Sequence, residues 1–191
     1  VIAVTAENDV LAVLAVDRRY ESAVETAEMI REAGGVCEPF AADITDEAAC
    51  RAMVAETAER LGGLDILVNN AGVAGAGRAE QMELSAWRAV LAANLDAGSI
   101  AAQAADPLVK ARGGGKVIHI GSMYSLFGSP FSPAYAASKG AIVQLTKSLA
   151  IAWARENGSP EKGREEEGNW MMAGVITGLA KTDPDAATEL A

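Results

Sequence analysis

The stretch that decides the fold runs from Lys116 to Gly158 and reads KVIHIGSMYSLFGSPFSPAYAASKGAIVQLTKSLAIAWARENG. It opens with a β-branched run directly after three consecutive glycines, a pattern that predicts a short buried strand. Ser132 or Pro133 can then open a helix that continues until just before Gly158, which ends it. A buried strand followed by a long helix is the building unit of an α/β protein.

Three side chains on this strand and helix have acid–base character. Tyr135 and Lys139 are four positions apart, so their side chains stack on one helix face. A free phenol is a poor base at neutral pH because its pKa is about 10, and a neighbouring ammonium favours the phenolate. Ser122, at the end of the strand, can hydrogen-bond a substrate oxygen from the same side. A bare Y-x-x-x-K pattern also describes a surface tyrosine beside a solvated lysine, so the prediction of proton transfer at a hydroxyl or carbonyl oxygen depends on the surrounding sequence.

Upstream of this stretch, apolar runs of strand length alternate with segments of helical period. The predicted strands are residues 1–5, 10–16, 36–41 and 64–68. The predicted helix caps are Ser22 (in a capping box with Glu25), Thr45 or Asp46, and Ser85. Alternation of this kind predicts an α/β fold with a doubly wound parallel sheet and helices on both of its faces.

Polar residues stand where these predicted strands end. Asp17 ends the second strand and Asp43 the third, Asn-Asn-Ala-Gly at 69–72 follows the fourth, and Ser122 ends the fifth. Each aspartate taken alone is more simply explained as a loop residue or a helix cap. Because ligands of open parallel sheets bind at the carboxyl ends of the strands, the shared placement indicates a binding site at this edge.

The combination of these motifs resembles the short-chain dehydrogenase/reductase family. Ser122 stands thirteen residues before Tyr135, as in the family, and the helix that follows is rich in alanine and glycine. The resemblance covers residues 1–158, while 159–191 is atypical or incomplete. It implies one Rossmann-type domain over residues 1–191, similar to sugar and sugar-acid (glucose- or gluconate-type) dehydrogenases and to 3-oxoacyl reductases.

The resemblance also implies a reaction and its residues. The expected activity is NAD(P)-dependent hydride transfer between a secondary alcohol and a ketone, on a sugar, sugar acid or polyol, without a metal. The implied catalytic residues are Ser122, Tyr135, Lys139 and Asn94. The implied cofactor-binding residues are Asp17, Arg18, Asp43, Ile44, Asn70, Ala71, Gly72, Tyr135, Lys139 and Thr177. An acidic residue at position 17 favours NAD, although the arginines at 18 and 19 leave NADP possible.

Two departures from the family pattern concern the ends of the matched region. The family has a glycine-rich turn after its first strand, which presents backbone amides to the pyrophosphate. Here Thr5 is followed by Ala-Glu-Asn-Asp and then at once by the second strand. Parallel neighbours need a crossover of about a dozen residues. Either a loop and helix are missing from the sequence, or the chain is a deleted, inactive variant; we favour the first and expect breaks near 5–10 and 158–170. No typical last strand is recognisable after residue 158.

Composition limits the classes of partner. The formal net charge of −10 argues against nucleic acid or an anionic membrane as the main partner. Cys37 and Cys50 are too few for a disulfide framework and are predicted to be buried thiols. Without a signal-peptide pattern or an apolar run of about 20 residues, we expect a cytoplasmic protein. We expect it to act on a small alcohol or ketone as a homodimer or homotetramer. The alternatives are a 3-oxoacyl thioester reductase and a cofactor-less binding or assembly protein of the same fold.

Overall fold

The computed structural model describes residues 2–7, 10–156 and 172–176, and these form one six-stranded sheet flanked by helices. The strands are β1 (Ile2–Glu7), β2 (Val10–Asp17), β3 (Val36–Ala41), β4 (Ile66–Asn69), β5 (Lys116–Ile120) and β6 (Met172–Ile176). The helices are α1 (Tyr20–Glu32), α2 (Glu47–Leu61), α3 (Leu84–Leu91), α4 (Ala97–Ala111) and α5 (Pro133–Glu156). The strand order is β3-β2-β1-β4-β5-β6. The predicted α/β class with a Rossmann-type sheet is confirmed.

The direction of β1 differs from the sequence prediction. β1 is antiparallel to both of its neighbours, β2 and β4, whereas β2 with β3, β4 with β5, and β5 with β6 are parallel pairs. Glu7 pairs with Val10, so a link of two residues joins β1 to β2. Such a link can close an antiparallel hairpin but cannot serve as a parallel crossover. The prediction that β1 is parallel to β2 is therefore wrong, and this connection requires no chain break. The other predicted break, at 158–170, lies outside the described residues.

Alternate side chains of β2 point to opposite faces of the sheet, and a different set of helices packs on each face. Leu14 and Val16 belong to a large cluster with residues of α2, α4 and α5, including Met53 and Trp153. Val13 and Ala15 point to the opposite face and, with Ala27 of α1, form a second cluster. Alternation with a period of two along a strand produces this division. The two clusters therefore lie on opposite faces of the sheet.

The helix starts agree with the sequence for α2 but not for α1 and α3. Asp46 caps α2, since its carboxylate accepts a hydrogen bond from the Ala49 amide. The N-cap of α1 is Arg19 rather than Ser22, because the Asp17 carboxylate accepts the Arg19 amide at 2.8 Å and turns the chain into the helix earlier. α3 likewise begins at Leu84, one residue before the predicted cap.

β6 pairs in parallel with β5, so a strand does follow α5 although its sequence is not typical. Cys37 and Cys50 are free and buried, as predicted. Among the described helices, none combines the length and apolar character that crossing a membrane would require.

Candidate active site

The loop after β5 fixes Ser122 at the edge of the sheet. The Ser122 hydroxyl accepts a hydrogen bond from the Tyr124 amide at 3.2 Å, and the Ser125 hydroxyl accepts one from the Ser122 amide at 3.1 Å. The Ser125 hydroxyl in turn donates to the Lys139 carbonyl oxygen on α5 at 2.7 Å. The loop is therefore tied both to itself and to the helix that carries the tyrosine.

Tyr135 and Lys139 lie next to each other on α5, as their spacing predicts. The Tyr135 side chain is half-buried and makes an edge-to-face contact with Tyr124, with ring centroids 6.1 Å apart. The Lys139 ammonium lies 5.7 Å from the centre of the Tyr135 ring and donates to the Ile120 carbonyl oxygen at 2.6 Å. Lys139 is only 6% exposed, and this burial lowers the pKa of its ammonium. A buried cation thus lies beside the phenol at the end of β5.

Asn94 lies in a π-helical turn between α3 and α4, at residues 92–96. Such turns replace regular helix in short pieces and are frequent at functional sites. The Asn94 side chain is buried and forms a closed pair of hydrogen bonds with the backbone of Val73, accepting from its amide and donating to its carbonyl. It also donates to the Ser138 hydroxyl at 3.0 Å. Asn94 therefore joins the loop after β4 to α5.

The carboxyl ends of β2, β3 and β4 surround a cavity of about 180 Å³. It is lined by six of the predicted cofactor-binding residues: Asp17, Arg18, Asp43, Ile44, Ala71 and Gly72. Asn70 is exposed and does not line this cavity, and Thr177 lies outside the described residues. A second, water-sized cavity beside Lys139 shares Ile44 and Ala71 with it. The two spaces are therefore adjacent, and the buried lysine lines the smaller one.

The two aspartates at this edge have different surroundings. The Asp43 carboxylate accepts hydrogen bonds from the Thr45 hydroxyl and the Thr45 amide, and these hold the pKa of Asp43 below its usual value. The exposed Asp17 carboxylate uses one oxygen to accept the Arg19 amide. Its other oxygen can accept a hydrogen bond from a ligand hydroxyl.

The fit of a dinucleotide to this edge can be judged part by part. Carboxylates, which suit ribose hydroxyls, line the large cavity, and the Lys139 ammonium lines the small cavity beside it. Gly72 allows the loop after β4 to pack directly against Asn94, since a Cβ at this position would stand 2.9 Å from the Asn94 Oδ1 atom. The β1–β2 link provides no binding groups for the pyrophosphate at this edge. Because β1 is antiparallel to its neighbours, its link to β2 lies at the opposite edge of the sheet and brings no helix N-terminus here.

Several polar side chains of the site were not singled out from the sequence. Ser138 is fully buried, accepts from Asn94 and donates to the Tyr135 carbonyl oxygen. The sequence feature that could have indicated Ser138 is its position directly before Lys139 on a helix of small residues. His119 is also fully buried, and the alternation along β5 places it on the same face as Val117. No group of three or more potential metal ligands occurs within the described ranges.

Comparison with known proteins places the chain in a family. Residues 2–157 match the model of the short chain dehydrogenase family. The chain is 34% identical over 155 residues to 2-(S)-hydroxypropyl-CoM dehydrogenase 3 of Xanthobacter autotrophicus, an alignment that covers 81% of this chain and 58% of the relative. It is 38% identical over 130 residues to 2-dehydro-3-deoxy-D-gluconate 5-dehydrogenase of Bacillus subtilis, covering 68% of this chain and 51% of the relative.

A solved structure has a similar fold over most of this chain. The crystal structure of a gluconate 5-dehydrogenase from Burkholderia cenocepacia in complex with NADP and tartrate superimposes with a TM-score of 0.69. It is 37% identical in sequence, and the match covers 74% of this chain and 56% of that one. The chain thus spans a little over half the length of the relatives it matches.

Proposed function

The chain belongs to the short-chain dehydrogenase family, and on that premise we propose that it is an NAD(P)-dependent oxidoreductase that interconverts a secondary alcohol and a ketone. The observation that carries the proposal is the position of Lys139. Its ammonium lies beside the Tyr135 ring and 4.0 Å from the place that a Cβ on Gly72 would take. Gly72 itself lines the large cavity. The acid–base side chains therefore lie next to the cavity that the predicted cofactor-binding residues line.

The proposed roles combine the family resemblance with the hydrogen bonds of Ser122, Asn94 and Lys139. Tyr135 passes a proton to or from the substrate oxygen, and the Lys139 charge stabilises the negative charge that develops on the phenol oxygen. The Ser122 hydroxyl accepts from the Tyr124 amide, which leaves its hydrogen to be donated to the same substrate oxygen. Asn94 holds the Gly72–Val73 loop against Lys139 and with it completes the proton relay. A bound nicotinamide supplies or accepts the hydride.

The cofactor-binding roles are assigned to residues that line the large cavity and to three that do not line it, Asn70, Tyr135 and Lys139. Asp17 accepts hydrogen bonds from the adenosine ribose hydroxyls, and Asp43 and Ile44 face the adenine. Asn70, Ala71 and Gly72 would shape the end of the sheet near the cofactor. Tyr135 and Lys139 hold the nicotinamide ribose. The carboxylate at position 17 favours NAD, and Arg18 keeps NADP possible.

The proposed substrate is a sugar, sugar acid or polyol. Its support is the overall similarity to gluconate-type dehydrogenases. The alternative substrate within the same family is a 3-oxoacyl thioester. We also propose a homodimer or homotetramer, built on the helices that correspond to residues 85–105 and 132–157.

The test compares two tyrosines of one chain. Nicotinamide absorbance is followed with NAD and with NADP, on a panel of sugar acids and polyols and, in the reverse direction, 3-oxoacyl thioesters. We expect turnover on the first group, and a decrease of about 10²–10⁴-fold in Tyr135→Phe. Tyr20→Phe is the matched control, because Tyr20 is exposed at the start of α1 and lies outside the site. Near-normal turnover of Tyr135→Phe would refute the proposed mechanism.

A second candidate function is favoured by the β1–β2 hairpin. A chain that lacks the glycine-rich turn has lost the backbone amides that hold a pyrophosphate, so a cofactor-less binding or assembly role is possible for this fold. Nicotinamide fluorescence separates the two candidates. A change in emission on mixing the protein with NADH or NADPH supports the oxidoreductase, and an unchanged spectrum at millimolar nucleotide supports the binding protein.

A further inference from the structure

The single histidine of the chain lies inside the sheet–helix interface, next to the proposed site. His119 stands on β5, and its side chain is fully buried. Its Nδ1 atom lies 3.2 Å from the Thr146 hydroxyl oxygen on α5. Its other nitrogen, Nε2, is buried and has no hydrogen-bond partner within the described part of the chain. A buried ring nitrogen without a partner loses its hydrogen bond to water and gains none in return, so it requires an explanation.

The tautomer of His119 follows from the hydrogen bonds of Thr146. A threonine hydroxyl has one hydrogen, and the short 2.7 Å contact to the Ile142 carbonyl oxygen uses it. The Thr146 oxygen can then act only as an acceptor toward His119, so Nδ1 carries the ring proton and donates. In a neutral imidazole the other nitrogen is then an acceptor. Nε2 therefore needs a donor.

A small cavity lies where that donor is needed. It is lined by His119, Asn69, Asn94, Gly98 and Lys139, among others, and its volume of about 10 Å³ suits a single water molecule. Gly98 helps to provide the space, because a Cβ there would lie 3.6 Å from Nε2. The Lys139 ammonium has three hydrogens, and the described contacts use one of them, with the Ile120 carbonyl. A donor therefore faces the cavity from its other side.

We propose that one buried water bridges Lys139 and His119, accepting a hydrogen bond from the ammonium and donating one to Nε2. His119 is then a positioning residue, which acts on the reaction through the lysine by holding its ammonium at the end of β5 beneath Tyr135. Burial, aided by the Lys139 charge and partly opposed by the Gly98 carbonyl, holds the pKa of His119 below its ordinary value, and a neutral ring is the form that this bridge requires. The structural part of the proposal is independent of the reaction, whereas its catalytic consequence rests on the proposed function.

Nitrogen NMR on the histidine tests the structural part directly. With one histidine in the chain, ¹⁵N-histidine labelling of protein without a histidine tag gives one ring to observe. We expect the tautomer protonated at Nδ1, with an Nε2 resonance shifted as for a hydrogen-bonded acceptor. Lys139→Met should move that resonance toward the value of a free acceptor, and Lys147→Met, an exposed lysine on the same helix, should leave it in place. A ring protonated at Nε2, as a bond to the Gly98 carbonyl would require, overturns the proposal even if no variant folds.

Kinetics test the consequence for the reaction. His119→Leu should lower kcat by about tenfold, the effect of one hydrogen bond, without raising KM for the alcohol. His119→Gln, which can still accept from the water, should recover most of the loss. An equal loss in both variants indicates a packing role and refutes the positioning role. A wild-type protein without activity, but with the expected NMR signature, would instead reject the proposed function and keep the water bridge.

Discussion

Asn94 and the backbone of Val73 form a closed pair of hydrogen bonds, with Val73 N donating to Asn94 Oδ1 at 2.7 Å and Asn94 Nδ2 donating to Val73 O at 2.9 Å. The second Nδ2 hydrogen goes to Ser138. Both amide hydrogens are therefore used inside the protein. The side chain fixes the loop after β4 rather than offering a hydrogen to a substrate.

Replacing Asn94 by aspartate tests this arrangement. The carboxylate keeps the acceptor for the Val73 amide but sets a negative oxygen against the Val73 carbonyl. We expect a loss of about 1–3 kcal/mol in the free energy of unfolding, the cost of an unsatisfied buried polar group, measured by urea denaturation. Asn70→Asp makes the same chemical change at an exposed position of the neighbouring loop and should stay within about 0.5 kcal/mol. Equal effects at both positions would contradict the buried pairing.

The buried charge of Lys139 should appear in the pH dependence of stability. Burial lowers the pKa of the ammonium from its ordinary value of 10.5. Between the lowered value and 10.5 the unfolded chain binds more protons than the folded one, so this lysine makes the free energy of unfolding rise with pH. The effect is about 1.4 kcal/mol for each unit by which the pKa is lowered.

The measurement compares Lys139→Met with the wild type by urea denaturation between about pH 8 and pH 10. The free energy of unfolding of the wild type minus that of the variant should increase with pH, because the variant has no buried ammonium to deprotonate. Lys147→Met removes an exposed lysine of the same helix, and its difference curve should be flat. A flat curve for Lys139→Met as well would mean that the buried lysine keeps its proton throughout this range.

Asp17 should control the choice between the two dinucleotides. Its exposed carboxylate at the cavity wall repels a 2′-phosphate, and at about 4 Å in water each pair of unit charges contributes about 1 kcal/mol. Asp17→Ser should therefore shift the ratio of NADPH to NADH affinity toward NADPH by about tenfold, measured by nicotinamide fluorescence. Glu21→Gln removes a charge from the first turn of α1, away from the cavity lining, and should leave the ratio nearly unchanged. A wild type that already prefers NADPH would show that Arg18 outweighs the aspartate.

Local sequence patterns were sufficient to predict those features of the molecule that depend only on the spacing of residues along the chain. The four-residue step from Tyr135 to Lys139 puts both on one helix face, because an α-helix repeats every 3.6 residues. Asp17, Asp43 and Gly72 could be placed at one edge because parallel strands end together, and the structure arranges them around one cavity. These inferences needed only the period of each element and the class of the sheet.

The direction of β1 and the partners of the buried polar groups depended on contacts between distant parts of the chain. Nothing within Ile2–Glu7 distinguishes a parallel from an antiparallel strand, and the length of the link and the pairing with β4 decide it. The sequence likewise determined that position 119 is a histidine facing the same side as Val117. Only the tertiary structure brings Thr146, Gly98 and Lys139 around it, because a hydrogen bond requires a particular distance and direction between groups far apart in the chain.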